Sequence, residues 1–372
     1  MLPDAAPLRT PYRATTRPDG ISDALWNSRL LRACRGESVD ATPVWLMRQA
    51  GRYMTHYRER RSGRSFLSLC RDSALAAEVT LYAREWLDVD AAIIFSDILI
   101  VLEALGMELT FLPGDGPALP KPIRDAHDVA RLGSGAQAAA DLAYVYEALR
   151  LTVKDLPAHI PCIGFAGAPF TLASYAIEGG GSRTFTRTKS FMYREAPAWH
   201  ALLAKIVDAL IPYLHAQVAA GASVLQLFDS WGGELSRADY LEYVQPHLVR
   251  LVRSLPSTVP VIVFGTRTTH LLDLFAATGA DVVGLDQHVS IDAGWQLAGG
   301  AGNISVQGNL DPALLLGSRN RLLAQADAAL ASAAGRPGFI FNLGHGIIKE
   351  TDPEQAKALV EHVHRVTSSG VG

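Results

Sequence analysis

Arg48 and Arg52 follow directly on an apolar run, Pro43-Val44-Trp45-Leu46-Met47. An arginine presents five N–H donors in a rigid fork, stays charged at any biological pH and matches a carboxylate or phosphate bidentately. A pair on one short loop, with Gly51 between them to let the backbone turn or a ligand approach, points to a polyanionic ligand. The plainer alternative is two solvated surface cations. Asp97 is a lone acid between Ala91-Ala92-Ile93-Ile94-Phe95-Ser96 and Ile98-Leu99-Ile100-Val101. Burying it is costly unless donors surround it, so it is either a functional carboxylate or the cap of the helix that follows. His345 stands between two glycines at the end of Phe339-Ile340-Phe341-Asn342-Leu343, where small neighbours let backbone or ligand come close. Tyr175 precedes Gly179-Gly180-Gly181, and no Lys-Ser/Thr follows to make a phosphate loop. Ser230, in Asp229-Ser230-Trp231, has no Gly-x-Ser-x-Gly elbow and reads as a hydrogen-bonding group.

These residues need a scaffold that gathers them. Eight short apolar runs, at 44–47, 91–95, 162–165, 224–228, 261–264, 282–285, 304–307 and 339–342, are each bounded by Gly, Pro, Asp or Asn. Between them lie stretches of helical period at 73–87, 126–151, 196–220, 237–253, 269–278, 319–334 and 353–366. Strands alternating with helices predict a parallel sheet, and eight units predict a closed (β/α)8 TIM barrel, with a doubly wound open sheet as the runner-up. In a barrel the active site lies at the C-terminal ends of the strands. Arg48, Asp97, Ser230, Asp286, Asn309 and His345 all follow such runs, and Tyr175 lies on the helix after the third. The segment Pro113-Gly114-Asp115-Gly116-Pro117, with Pro120 and Pro122, reads as an excursion of turns.

The 372 residues, 49% hydrophobic and 19% charged, supply a large core. A net charge of −3 offers no broad basic field, which excludes nucleic acid and anionic membrane surfaces as expected partners. Cys34, Cys70 and Cys162 are an odd number without a Cys-x-x-Cys, so neither a disulfide framework nor a zinc site is expected, in keeping with a reducing cytoplasm. His270 and His288 stand alone, and His362 and His364 fall on the expected polar face of the last helix, so no metal is expected. Residues 1–22, with Pro3, Pro7, Pro11 and Pro18, read as a disordered, mobile arm lacking the apolar core of a signal peptide, and 23–368 as a single barrel domain. The most apolar stretch, 91–105, is interrupted by Asp97 and Glu103 and is too short to span a bilayer.

Motifs along the chain resemble those of the uroporphyrinogen decarboxylase family. They are Met47-Arg48-Gln49-Ala50-Gly51-Arg52-Tyr53, Phe95-Ser96-Asp97-Ile98-Leu99, Gly164-Phe165-Ala166-Gly167-Ala168-Pro169-Phe170-Thr171, Tyr175 with Ile177-Glu178-Gly179-Gly180, Phe228-Asp229-Ser230-Trp231, Gln307-Gly308-Asn309-Leu310-Asp311-Pro312 and Asn342-Leu343-Gly344-His345-Gly346-Ile347. The chain departs from the usual pattern at Thr55-His56, Leu102-Glu103, Gly265-Thr266-Arg267 and Gln287. The resemblance implies a (β/α)8 barrel, commonly a homodimer in the cytoplasm, that removes the four acetate carboxyl groups of uroporphyrinogen III to give coproporphyrinogen III without a cofactor. It places Arg48, Gln49, Ala50, Gly51, Arg52, Asp97, Tyr175, Ser230 and His345 around the tetrapyrrole, and Asp97, Arg48, Tyr175 and His345 at the chemistry. Arg48, Tyr175, His345 and bound water all stand as proton donors at this level. Rival readings are a corrinoid-linked methyltransferase, which needs zinc ligands, and a catalytically silent porphyrin-binding protein.

Overall fold

The computed structural model describes residues 9–14, 16–112 and 116–368. Seven parallel strands lie side by side in chain order: β1 (Ala92–Ile93), β2 (Cys162–Gly167), β3 (Val224–Asp229), β4 (Val261–Gly265), β5 (Val282–Gly284), β6 (Ser305–Leu310) and β7 (Phe339–Leu343). The eighth stave of the (β/α)8 barrel is the apolar run at 44–47, expected as a full strand but making a single parallel bridge, Val44 to Phe341. The reason is chemical. Pro43 has no N–H, and the N–H of Val44 donates at 2.7 Å to the carboxylate of Asp90, just ahead of β1. The Asp90 N–H returns a bond to Val44 O at 2.8 Å, and on the other flank Phe341 N–H donates to Pro43 O at 2.9 Å. The run is thus tied to β7 on one side and to the approach of β1 on the other. β1 is shorter than its apolar run because Phe95 N–H turns away to Thr80 Oγ1, at 2.9 Å, on the helix Ser73–Leu87.

Val, Ile, Leu and Phe from the strands fill the barrel wall and its junction with the helices. Three buried polar side chains cross the interior: Trp45 Nε1 donates to Gln307 Oε1 at 2.7 Å, and Gln307 Nε2 donates to Gln226 Oε1 at 3.1 Å. The helical stretches mostly fall where periodicity places them, with two splits. The stretch at 126–151 becomes Ala126–Arg131, Gly135–Asp141 and Ala143–Asp155. Gly135 lies against the long helix Ala196–Ala219, where a side chain would come within 2.3 Å of Asp208 O. The stretch at 237–253 divides at Val244, and Pro246 opens the second helix, Gln245–Arg253, where a missing amide costs nothing. Ala196–Ala219 is long and apolar enough to cross a membrane by length and composition, a feature overlooked in favour of 91–105, but half of its apolar window is buried against the rest of the protein.

The proline-rich excursion forms an antiparallel hairpin, Thr110–Leu112 with Gly116–Ala118; residues 113–115 lie outside the described residues. His362 and His364 do not lie on a solvated face: His362 is buried and bonds Asp327 Oδ1 at 2.6 Å, while His364 Nε2 reaches Asp90 Oδ2 at 2.7 Å. Packing of the last helix, Pro353–Thr367, against the helices Arg319–Ala333 and Ser73–Leu87 overrode the polar pattern. Of the expected mobile arm, residues 1–8 and 15 lie outside the described residues, whereas Arg9 and Tyr12 are buried at the base of the barrel. Arg9 pairs with Asp281 at 2.7 Å and donates to the carbonyls of Pro256, Gly279 and Val259. Tyr12 N–H and Val261 N–H donate to the same carboxylate at 2.6 and 2.8 Å.

Removing one partner of a buried ion pair leaves the other charge stranded, at a cost of about 3–5 kcal/mol. Arg9→Met is therefore expected to lower the melting temperature by several degrees in a thermal melt followed by circular dichroism. A melting curve superimposable on that of the unaltered protein would show that the docked segment contributes nothing.

Candidate active site

Arg48 leaves the bridging run in a left-handed conformation, φ 63°, which costs an L-residue about 1–2 kcal/mol. Two neighbours hold it there. Gln49 is fully buried, its amide donating to Ala91 O at 3.1 Å and accepting from Leu46 N–H at 3.2 Å, so the loop is pinned to β1. The Arg48 side chain then lies across Gly346, where any Cβ would sit 2.4 Å from its Cδ. The glycine after His345 is small because the arginine occupies its side-chain space. Ile347 N–H donates to Met47 O at 2.9 Å, which draws the 344–347 loop against the arginine loop. On the other side of His345, Gly344 faces Gln287, whose N and Oε1 would lie 2.4 and 2.5 Å from an added Cβ.

Ala50 and Gly51 are half-buried beside the loop, and Arg52 is exposed. Arg58 donates to Arg52 O at 3.1 Å and Tyr53 O at 2.7 Å, and so fastens the backbone that carries Arg52. Among the described residues neither Arg48 nor Arg52 has an ion-pair partner, while most other arginines do. Two uncommitted guanidinium groups on one loop are available to an anion from outside.

Asp97 lies at the end of the β1 segment, half-buried, with protein around it and one side open to solvent. Leu99 N–H donates to Oδ1 at 2.8 Å, one residue ahead of the helix Ile100–Ala104. The N-cap of that helix is Leu99, with no side-chain capping bond, so Asp97 closes a turn ahead of the helix and does not cap it, and no side chain among the described residues bonds its second oxygen. Burial raises its pKa to about 6, against the lowering effect of the Leu99 N–H bond and of Arg48. Tyr175 is pushed up to about 12, by burial first and then by Asp97, with Arg48 opposing. Burial and Arg48 lower the pKa of His345. Gly346 N–H donates to His345 Nδ1 at 2.7 Å, which makes the neutral ring carry its proton on Nε2.

Arg48 thus acts electrostatically on Asp97, Tyr175 and His345, Asp97 also acts on Tyr175, and a second carboxylate, Asp286, acts on His345. Ser230 is half-buried at the end of β3, with its carbonyl accepting from Thr266 Oγ1. Arg52 sits to one side, near Tyr57. Sequence reasoning missed the supports: Gly346 beneath Arg48, Arg58 behind Arg52, and Trp231, whose ring stacks on Tyr175 at 4.0 Å. Trp231 stands in the same motif as Ser230, but no linear signal shows which ring it meets. Among the described residues no group of three or more His, Cys, Asp or Glu side chains is placed to hold a metal ion.

The sequence model of a family described as "Uroporphyrinogen decarboxylase (URO-D)" matches residues 25–366. The chain is 51% identical to the uroporphyrinogen decarboxylase of Myxococcus xanthus, over 91% of this chain and 96% of that one. It is 48% identical to that of Koribacter versatilis, over 93% and 98%. Among solved structures, a methyltransferase from Methanosarcina mazei superposes with a TM-score of 0.76 at 20% identity, covering 91% of this chain and 98% of that chain, a likeness of fold.

The raised pKa of Asp97 has a thermodynamic consequence. Relative to the unfolded chain, stability is fully present below pH 3.8 and is lost as pH rises through about 6, because the native state then holds a poorly solvated charge. Asp97→Asn keeps an acceptor for Leu99 N–H and removes that charge. It is expected to melt higher than the unaltered protein at neutral pH, with the difference vanishing near about pH 4. A variant that is less stable at neutral pH would contradict this electrostatic picture.

Proposed function

The chain belongs to the uroporphyrinogen decarboxylase family, and from that premise we propose that it is a carboxy-lyase acting on uroporphyrinogen III, removing four acetate carboxyl groups to give coproporphyrinogen III. The carrying observation is the pair of uncommitted arginines on one loop beside the isolated, half-buried carboxylate of Asp97. Such a site suits a ligand that brings several carboxylates for the arginines and N–H donors for the aspartate.

Direct loss of carbon dioxide from a pyrrole acetate leaves an unstabilised carbanion, so the ring itself has to accept the electrons. Protonation of a ring carbon makes the pyrrole a cation. The bonding pair of the departing carboxylate flows into that ring, carbon dioxide leaves, and the resulting methylene takes a proton while the ring carbon gives one back. Each carboxylate is replaced by one proton in net terms. The negative charge of Asp97 stabilises the cationic stage from a position organised beforehand, and its oxygens accept from the pyrrole N–H groups. Those donors also relieve the burial cost seen in its raised pKa. Arg48 and Arg52 hold acetate and propionate carboxylates. Tyr175 and His345, both neutral with a proton to donate, and Ser230 orient the substrate. Guanidinium is a very weak acid, so Tyr175, His345 and bound water compete with Arg48 as proton source.

The reaction so written uses the macrocycle as its own electron sink, and the proposed enzyme works without metal or organic cofactor, as a homodimer in the cytoplasm. Incubation with uroporphyrinogen and separation of products by carboxyl number tests the reading. Tight binding with no product would replace it with a porphyrin-binding function, and turnover lost on chelation and restored by zinc would overturn the cofactor-free reaction.

Two substitutions separate the roles. Asp97→Asn is expected to lower kcat on the order of 10²-fold in single-turnover decarboxylation, with a smaller effect on binding. Near-normal turnover would end the claim that its charge carries the chemistry. Arg52→Lys keeps the charge but loses the planar fork, so it is expected to raise KM more than it lowers kcat. An unchanged KM would count against Arg52 as a carboxylate clamp.

A further inference from the structure

Tyr175 has no hydrogen-bond partner for its hydroxyl among the described residues, so ring packing alone directs it. The ring stacks on Trp231, with centroids 4.0 Å apart and planes at 30°. Trp231 is in turn held from its backbone. Its N–H donates to Thr171 Oγ1 at 3.3 Å, and Thr171 donates at 2.9 Å to the fully buried carboxylate of Asp229. Tyr240 occupies the other oxygen of Asp229 at 2.7 Å. Gly232, the next residue, is packed so tightly that an added Cβ would lie 2.6 Å from Asp229 Oδ2.

A second ring packs on the same indole. Phe185 lies 4.8 Å from Trp231 at 59°, is buried, and adopts φ +50°, a conformation that bulky side chains take up only when their surroundings enforce it. It ends the loop that begins with Gly179-Gly180-Gly181 and opens the helix Thr186–Arg194. Glu178 closes that loop, its Oε1 accepting from Thr188 N–H at 2.9 Å and from Thr188 Oγ1 at 3.0 Å.

We propose that Trp231 is the positioning residue for Tyr175 and that Phe185 buttresses it, so that the glycine loop and the Asp229 network together set the direction of the tyrosine hydroxyl. This rests on the reading that Tyr175 faces the substrate. A stacked aromatic pair favours one ring orientation only modestly, and a hydroxyl that must meet a reacting group loses rate roughly in proportion to its disorder. The consequence belongs in kcat more than in KM.

The test is a set of double-mutant cycles on the full chain with uroporphyrinogen as substrate. Trp231→Leu is expected to lower kcat about tenfold with KM changed less than about threefold, Trp231→Phe to recover most of the loss, and Trp231→Leu to cost nothing further in a Tyr175→Phe background. Equal fractional losses in both backgrounds, an unaltered kcat in Trp231→Leu, or an unaltered kcat in Tyr175→Phe would overturn the proposal. If Trp231→Leu fails to fold by circular dichroism, Phe185→Leu leaves the indole in place. Its smaller loss, about threefold, is expected to vanish in the Tyr175→Phe background, and persistence there or no loss at all overturns the proposal equally. Wild-type turnover with additive losses defeats the proposal alone, whereas absence of any wild-type product defeats the functional reading and the proposal with it.

Discussion

Closure of the barrel at its first stave is the constraint on which the site depends. The stave has little ladder of its own: one bridge to β7, and the carboxylate of Asp90 standing where a strand partner would be. Asp90 accepts from Val44 N–H, from Arg29 at 3.1 Å and from His364 at 2.7 Å, so one buried acid gathers the first stave, an early helix and the last helix. Because the stave is caught between β7 and β1, the residues that leave it lie beside the residues that leave β7. Arg48 and His345, from opposite ends of the chain, meet for that reason, and Gly346 provides the space.

What meets there is unbalanced by design of the packing. Protein interiors usually pair a half-buried carboxylate with a cation or with several donors. Asp97 has one backbone donor, and Arg48 is close enough to lower its pKa without cancelling the burial penalty. Arg48 and Arg52 likewise remain without carboxylate partners among the described residues, although nearby Arg60 and Arg71 are paired with Glu78 and Glu103. The surroundings leave these groups uncommitted, and for Asp97 burial penalises the charged form.

Rigidity is supplied one layer back. Buried Asp229 is satisfied by Thr171 and Tyr240 and fixes the turn that carries Ser230 and Trp231. Gln49 and Arg58 do the same for the arginine loop. At the far end of the barrel, the Arg9–Asp281 pair fastens the N-terminal segment to the approaches of β4 and β5, well away from the strand ends that bear the site.

The sequence by itself determined the order of strands and helices, the barrel, the family, and which residue types stand at the strand ends, because local periodicity and short motifs encode all of these. It read the loop after the first apolar run correctly as an arginine pair beside a turn, and Asp97 as a carboxylate with two competing roles. Only the tertiary structure decided that Asp97 accepts from Leu99 N–H and keeps its second oxygen free of side-chain bonds among the described residues, that Gln49 is a buried fastening, and that the glycine after His345 yields its space to Arg48. It also placed Arg9 and Tyr12 in the base of the barrel and His362 and His364 against the carboxylates of Asp327 and Asp90, where proline content and a polar helix pattern predicted solvent. Those outcomes depend on groups up to hundreds of residues apart becoming neighbours. A side chain's charge and shape are written in its own position, but its partners, its solvation and hence its pKa are set by whatever the closed barrel brings against it.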